Sequence, residues 1–353
     1  MVSLSQLPKW AIAGLAFPLI CLNGWLLYRL GGLLQPIPSM VITASLVAFL
    51  LDYPIDWLEQ RGMGRGLAVA LVVVLAVGVI TILVVFLGPL VWQQLNDFAE
   101  RLPRWIDQAK TQLLLLEDRA FLQNLPINLD QLTVEAANQL STALQTGTSR
   151  AINVALSTID STFNLLVTLV LTILLVINGE ALWRGLLGWL PEQWQSRIRD
   201  SLQPSFQGYF SGQAILAFIL AAAQSTAFIL LGVPFGLLFG LVIGLVSVIP
   251  FGGTVAVLGV STLLAFQDVW LGLKVLGVAF LLGQINDNVV APRLMGGITG
   301  LNPAIIILVL LIGAKFAGFL GLLLAVPTAS FIKKMVDVAR EAWVENPELA
   351  IKG

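Results

Sequence analysis

Histidine is absent from this 353-residue sequence, and cysteine occurs once, as Cys21. Without histidine, the chain lacks the commonest general base and metal ligand among the side chains. A single cysteine allows neither an internal disulfide nor a zinc site built from thiolates. Because no nucleophile–base pair is visible either, we expect no enzymatic activity, no bound metal and no cofactor.

Charged residues are also scarce. They make up 11% of the chain, whereas apolar residues make up 58%. An average soluble protein carries about 25% charged residues. The net charge of −1 and the lack of lysine- or arginine-rich runs give no sign of a nucleic-acid partner. The G-x-x-x-x-G-K-[ST] motif is missing too, so we expect no hydrolysis of ATP on this chain.

Long apolar runs are what the sequence does contain, and several approach the ~20 residues needed to cross a bilayer. They lie at 10–27, 33–51, 67–91, 152–177, 213–231 and 269–282. The runs predict an all-α, polytopic transmembrane protein with six to eight spans in the lipid bilayer. Most lysines and arginines fall on one side, which the positive-inside rule assigns to the cytoplasm. This arrangement predicts an inner-membrane protein with both termini in the cytoplasm.

Two further apolar regions, 236–266 and 304–331, are each broken near the middle. Pro250-Phe251-Gly252-Gly253 interrupts the first, and Gly313-Ala314-Lys315-Phe316-Ala317-Gly318 interrupts the second. Each half is too short for a full crossing, so we predict two re-entrant helical hairpins in the C-terminal half. The alternative is that both regions form tilted full spans, which would give eight crossings.

The one sizeable polar region follows the third span. From Trp92 to Leu116, its apolar residues recur at alternating steps of three and four, which places them on one stripe of a helix. The stripe would either pack on its own domain or form a coiled-coil contact between subunits. We divide the chain into membrane spans 1–3 (1–91), an extracytoplasmic helical domain (92–150), a fourth span with a cytoplasmic amphipathic segment (151–212), a membrane transport unit with broken helices (213–335) and a cytoplasmic tail (336–353).

Polar residues are concentrated in the stretch QINDNVVAPR, residues 284–293, directly after an apolar run. A simple loop where a span meets water is one interpretation. The wall of a polar cavity is the other, because the amides are denser than a membrane boundary requires. In that case Gln284, Asn286 and Asn288 would recognise solute hydroxyls. Asp287 is the candidate for ion coupling, since an ionisable residue within a span costs ~2.5–3.5 kcal/mol and is usually functional.

The two breaks supply the other candidate residues. Pro250 would end a half-helix, and the following glycines would permit a tight reversal. The next half-helix, starting near Thr254, would then point unpaired N–H groups towards the middle of the membrane, unless the break is only a surface turn. Lys315 would either line the cavity or snorkel to an interface. The predicted solute-binding residues are Pro250, Phe251, Gly252, Gly253, Thr254, Gln284, Asn286, Asp287, Asn288, Pro292, Arg293 (at the cytoplasmic mouth) and Lys315.

Several short stretches have a recognisable pattern when taken together. They are AFLLDYP (48–54), LGVPF (231–235), IPFGG (249–253), DNVVAPRLMG (287–296), GLNP (300–303) and FLGLLLAVP (319–327). These stretches resemble signature segments of the autoinducer-2 exporter family of bacterial permeases. The resemblance implies a multi-pass permease that assembles as a homo-oligomer and moves a small polar solute without ATP.

The resemblance also leaves alternatives open. Some relatives are credited with export of autoinducer-2 and others with sodium/proton exchange. Many relatives carry a carboxylate where Asn286 stands, which leaves Asp287 as the only acid of the polar stretch here. We therefore expect a secondary transporter working by alternating access. A sodium/proton antiporter coupled through Asp287 is the runner-up, and a non-transporting membrane scaffold using 92–150 is the third possibility.

Overall fold

The computed structural model describes residues 29–117, 158–295 and 300–345, with a few isolated positions outside these ranges. The predicted first span, nearly all of 118–157 and the end of the tail thus lie outside the described residues. The elements within these ranges are all helical, which confirms the all-α prediction. In chain order they are α1 (Ile37–Gln60), α2 (Arg65–Glu117), α3 (Thr158–Leu187), α4 (Glu192–Gln203), α5 (Tyr209–Leu230), α6 (Gly236–Val246), α7 (Gly252–Gln267), α8 (Val269–Ile285), α9 (Ala291–Met295) and α10 (Pro303–Glu345).

Five helical stretches in the described ranges are long and apolar enough to cross a membrane. They are Ile37–Gln60, Arg65–Trp105, Trp194–Leu230, Val269–Leu294 and Pro303–Val338, and the bent pair Phe163–Gly179 and Ala181–Leu187 would make a sixth. Their outer surfaces are apolar, as shown by the exposed Val84 and Phe86 on α2. Exposed apolar surface on this scale suits contact with lipid rather than with water. The prediction of a polytopic membrane protein is confirmed.

Glycines allow α5 and α6 to pack closely in antiparallel directions. A Cβ at Gly240 would overlap the backbone of Ser225, and a Cβ at Gly244 would overlap Ala221. Small residues at this spacing let helix backbones approach in an apolar environment. The chain then turns at 247–251 and continues as α7, which contacts α6 and packs along α8. The first broken region therefore forms two short helices joined by a tight turn.

The second broken region also reverses direction. Ala317 and Gly318 have non-helical backbone angles, with φ of −138° and 57°. Gly313 packs directly against the backbone of Gly321, and the Nζ of Lys333 donates to the carbonyl of Gly300 at 2.5 Å. In each pair, the two residues lie at similar distances in sequence before and after the break. The two halves of α10 are therefore antiparallel. Although Pro303–Val338 has the length of one span, its two halves form a helical hairpin.

The predicted apolar stripe of 92–116 is part of α2, which runs without interruption through residue 92. Phe98, Leu102 and Trp105 are buried. The Phe98 ring lies 5.7 Å from the ring of Phe235 and 5.6 Å from that of Phe239, both edge-on. Of the predicted stripe, Leu102 is buried and Leu95 packs against the same core, whereas Phe98 and Trp105 are buried neighbours that the predicted stripe did not include. This part of α2 therefore packs within the subunit, against the start of α6. The side chains of residues 109–116 lie outside the described residues.

One apolar cluster joins the turn of the first broken region to both halves of the second. Ile249, in the turn between α6 and α7, packs against a buried group that includes Tyr209 and Phe210 from α5 and Leu310 and Val326 from α10. A separate cluster joins α1, α2 and α3 around Ile55, Val69 and Val176. Leu46 on α1 belongs to the first of these clusters, and a third cluster joins Phe98, Leu102 and Trp105 on α2 to α5–α8. The N-terminal spans therefore share core packing with the C-terminal helices.

Candidate solute-binding site

The polar stretch 284–293 is helical throughout, not a loop. It contains the end of α8, a π-helical turn at Asn286–Val290 and the start of α9. Pro292 has no N–H to continue the normal hydrogen-bond pattern, which gives a physical reason for a widened turn before it. Single π-helical turns inside α-helices often mark functional sites.

Asn286 is the one member of this stretch whose side chain is buried, with 6% of its surface exposed. Its Nδ2 donates to the Oδ1 of Asp287 at 3.3 Å. Its Oδ1 is buried and has no hydrogen-bond partner among the described residues. Because buried polar atoms are nearly always paired, an unpaired acceptor at this depth suits a donor supplied by water or a solute.

The remaining predicted residues of the stretch face outwards. Gln284, Asp287, Asn288 and Arg293 are all exposed, as is Pro292. The Nδ2 of Asn288 donates to the carbonyl and to the Oε1 of Gln284, at 3.0 and 2.8 Å, so these two amides pair along one helical face. The structure therefore separates Asn286, which points inwards, from the other side chains of the stretch.

The turn at Pro250–Gly253 reverses the chain, but its strained residue is not a glycine. Phe251 has a φ of 65° and is half exposed. Gly252 is instead needed for space, because a Cβ there would overlap the carbonyl of Val246. The turn is attached to α5 through Gln213, whose Nε2 donates to the carbonyl of Ser247 at 2.6 Å. Thr254 follows in the first turn of α7 and is exposed.

Lys315 lies two residues before the reversal of α10, and its side chain is exposed. The π-helical turn at Asn286–Val290 packs against α5. The α6–α7 turn is attached to the same helix by the Gln213–Ser247 hydrogen bond. In addition, the Nε2 of Gln224 on α5 donates to the carbonyl of Ala279 on α8 at 3.1 Å. The helix α5 thus supports the π-helical turn at Asn286–Val290 and the α6–α7 turn, whereas Lys315 belongs to the α10 hairpin.

A cavity elsewhere in the fold was not predicted from the sequence. It has a volume of about 550 Å³ and lies between α1, α3, α4 and the π-helical turn at Pro204–Gly208. We call it the inner cavity, because it lies at the end of the helices that the sequence analysis predicts to face the cytoplasm. Its polar lining includes Asp52, Asp56, Arg65 and Arg199. Asp52 and Asp56 lie one helical turn apart near the end of a span, and this spacing is a sequence signal that could have drawn attention to the position.

The chain is similar to known proteins over nearly its whole length. The family profile described as "AI-2E family transporter" matches residues 15–341. The sll0063 protein of Synechocystis sp., provisionally named a transport protein, is 38% identical over 96% of this chain and 87% of its own length. The sll0060 protein of the same organism, named in the same way, is 34% identical over 93% of this chain and 96% of its own length. The AI-2 transport protein TqsA of Escherichia coli is 24% identical over 90% of this chain and 94% of its own length. The chain therefore belongs to the AI-2E transporter family.

Proposed function

We propose that this protein is a secondary transporter that moves a small polar solute across the inner membrane by alternating access, and that Asn286 contacts the solute. The membership of a transporter family supports the general activity. The observation that carries the site is the buried, unpaired Oδ1 of Asn286 in a π-helical turn. A hydroxyl of a small solute would donate to this oxygen and replace the missing partner.

The lengths of the broken helices support a re-entrant arrangement. Helix α6 has 11 residues and α7 has 16, which correspond to about 16 and 24 Å. A bilayer core is about 30 Å thick. Turns at membrane depth are tolerated only where they are buried in protein or line a wet cavity. We therefore place the turns at Phe251 and Gly318 inside the membrane, next to an aqueous chamber.

The shared packing of the two broken regions supports a moving unit. The α6–α7 turn and the two halves of α10 pack in one apolar cluster, so they would move together. The α1–α2–α3 cluster would form the static part. The contacts of Leu46 on α1 and of Phe98 on α2 with the C-terminal helices would then change during the movement. Movement of the broken helices and α5 against these spans would expose Asn286 to one side of the membrane and then to the other.

The solute proposal is tested by flux into reconstituted vesicles without ATP. The probes are autoinducer-2 and the sugar alcohol erythritol, because both carry several hydroxyls. We expect flux of at least one probe, lost in Asn286→Leu and kept in Asn164→Leu, a matched change on α3. If flux is the same in both variants, Asn286 does not contact the solute. Proton flux that responds to a sodium gradient and disappears in Asp287→Asn would replace the proposal with the antiporter function.

The chamber is tested by thiol labelling in a Cys21→Ser background. We expect Thr254→Cys and Lys315→Cys to react with a membrane-impermeant reagent, whereas Val255→Cys, on the exposed apolar face of α7, should stay unlabelled. If Thr254→Cys and Lys315→Cys are protected from reagent on both sides of the membrane, the two turns do not border water. The re-entrant arrangement would then be wrong even if solute flux is observed.

A further inference from the structure

The inner cavity lies outside the solute site proposed above, between α1, α3, α4 and the π-helical turn at Pro204–Gly208. We propose that it binds an amphipathic organic cation, by which we mean a molecule with a positively charged nitrogen or phosphorus centre and an apolar body. The volume of about 550 Å³ falls within the range of about 300–1,000 Å³ that holds drug-sized ligands. This inference does not depend on the identity of the transported solute.

The walls of the inner cavity are mostly apolar and include aromatic rings. Phe49 on α1, Trp183 on α3 and Phe206 in the π-helical turn all line it. Aromatic faces attract cations through the negative charge above the ring, and they also shield an apolar ligand body from water. A lining of this kind favours a bulky organic cation over a hydrated metal ion.

A half-buried carboxylate sets the preferred charge of the ligand. Asp56 lies at the cavity wall, where the positive charge of Arg65 and the negative charge of Glu59 both act on it. Asp52 lies one turn earlier on the same face of α1. A cation in the cavity would compensate the negative charge of Asp56, whose carboxylate is partly removed from water.

The arginines of the cavity do not cancel this preference. Arg65 is already engaged, since its Nη1 lies 3.9 Å from the Oε2 of Glu59 and its Nη2 donates to the carbonyl of Val176 at 3.1 Å. Arg199 supplies the other positive charge of the lining. Two carboxylates and two guanidinium groups line the cavity. Because Arg65 is shared between Asp56 and Glu59, the charge of Asp56 is only partly balanced, and this favours a positive ligand.

Gly179 leaves the space that the ligand body would occupy. It lines the cavity on α3, and a Cβ built on it would meet no atom within 4 Å. A larger side chain at this position would therefore grow into the cavity without disturbing the helices. This gives a variant that fills the site and leaves its charges in place.

The experiment measures direct binding to the purified full-length protein in phosphatidylcholine nanodiscs, with protein-free discs subtracted. The probe is tetraphenylphosphonium, and tetraphenylborate is the matched anion of the same shape. We expect saturable binding of the cation and none of the anion. Asp56→Asn should raise the Kd of the cation about tenfold, as expected for loss of one partly desolvated charge pair.

Two matched controls separate binding from misfolding. Gly179→Leu should abolish cation binding, whereas Gly185→Leu, at an equally open glycine of the same helix outside the cavity, should leave it unchanged. Asp337→Asn, on an exposed part of α10, should also leave the Kd unchanged. Each variant is checked for monodisperse elution before binding is measured.

Three outcomes would overturn the inference. They are equal binding of cation and anion, an unchanged Kd in Asp56→Asn, and an unchanged Kd in Gly179→Leu. Because the assay reads binding and not flux, its failure is distinguishable from failure of the transport proposal. If Asn286→Leu abolishes flux but the wild-type protein does not bind tetraphenylphosphonium, only the proposal for the inner cavity is refuted.

Discussion

The Oε1 of Gln94 accepts a hydrogen bond of 2.9 Å from the backbone N–H of Leu238, although the two residues are 144 positions apart. Leu238 lies in the first turn of α6, where backbone N–H groups have no partner within the helix. The side chain from α2 therefore caps the first broken helix. Together with the aromatic contacts of Phe98, this bond attaches the long helix α2 to the start of α6.

Replacing the cap should loosen α6. We expect Gln94→Ala to lower the free energy of unfolding by about 0.5–2 kcal/mol, the range for loss of a helix N-cap. Hydrogen exchange at residues 236–240 should become faster. The neighbouring Gln93→Ala is the control, because its side chain is exposed. Equal exchange in both variants would show that the bond does not hold α6.

Truncating Phe98 should destabilise the subunit itself. We expect Phe98→Ala to cost about 3–5 kcal/mol, as for a buried phenylalanine, and Phe86→Ala to cost far less because Phe86 is 70% exposed. Thermal unfolding in detergent measures the difference. If Phe98 instead contacted a second subunit, the loss in Tm would depend on protein concentration. A marked dependence would contradict the packing of Phe98 against Phe235.

A methyl group in the α10 hairpin should not fit. A Cβ at Gly321 would overlap the carbonyl of Gly313, whereas a Cβ at Gly277 on α8 would meet nothing within 4 Å. We expect Gly321→Ala to destabilise the protein by about 1–3 kcal/mol, the usual cost of overpacking, and to lower the yield of monodisperse protein. Gly277→Ala should behave like the wild type. Tolerance of both changes would argue against a closed hairpin.

Loss of the Lys333 contact should free the segment before α10. The Nζ of Lys333 donates to the carbonyl of Gly300, so Lys333→Met removes a tie between the two ends of the hairpin. Because the contact is exposed, we expect a cost of only about 1 kcal/mol or less, with hydrogen exchange several-fold faster over residues 300–306. Lys334→Met carries the same change one position later and should leave exchange there unaltered.

The positions of the helices followed closely from the sequence. The apolar runs at 33–51, 67–91, 213–231 and 269–282 became α1, α2, α5 and α8, and the breaks at 250–253 and 313–318 coincide with chain reversals. These features are local, since run length, proline and glycine act on their own segment. The reason for the first reversal was wrong in detail, because Phe251 and not a glycine adopts the left-handed conformation.

The roles within the polar stretch could not be derived in the same way. Asp287 was expected to be the central ionisable group, yet the buried side chain belongs to Asn286. In an α-helix, neighbours in sequence point about 100° apart, so composition alone does not say which one faces inwards. Which of the two side chains is buried depends on where α5 packs against the π-helical turn at Asn286–Val290. Whether Asp287 couples transport to an ion stays a prediction.

Apolar length and the spacing of helix breakers were enough to establish a membrane protein with two interrupted segments, because hydration and backbone sterics act over a few neighbouring residues. The inner cavity and the cap on α6 were beyond such reasoning. Each is formed by helices far apart in the chain, as shown by Asp56 on α1 and Trp183 on α3, which both line the inner cavity. Only the packing of whole helices brings such side chains together, and no pattern within a single segment specifies which distant helix it will contact.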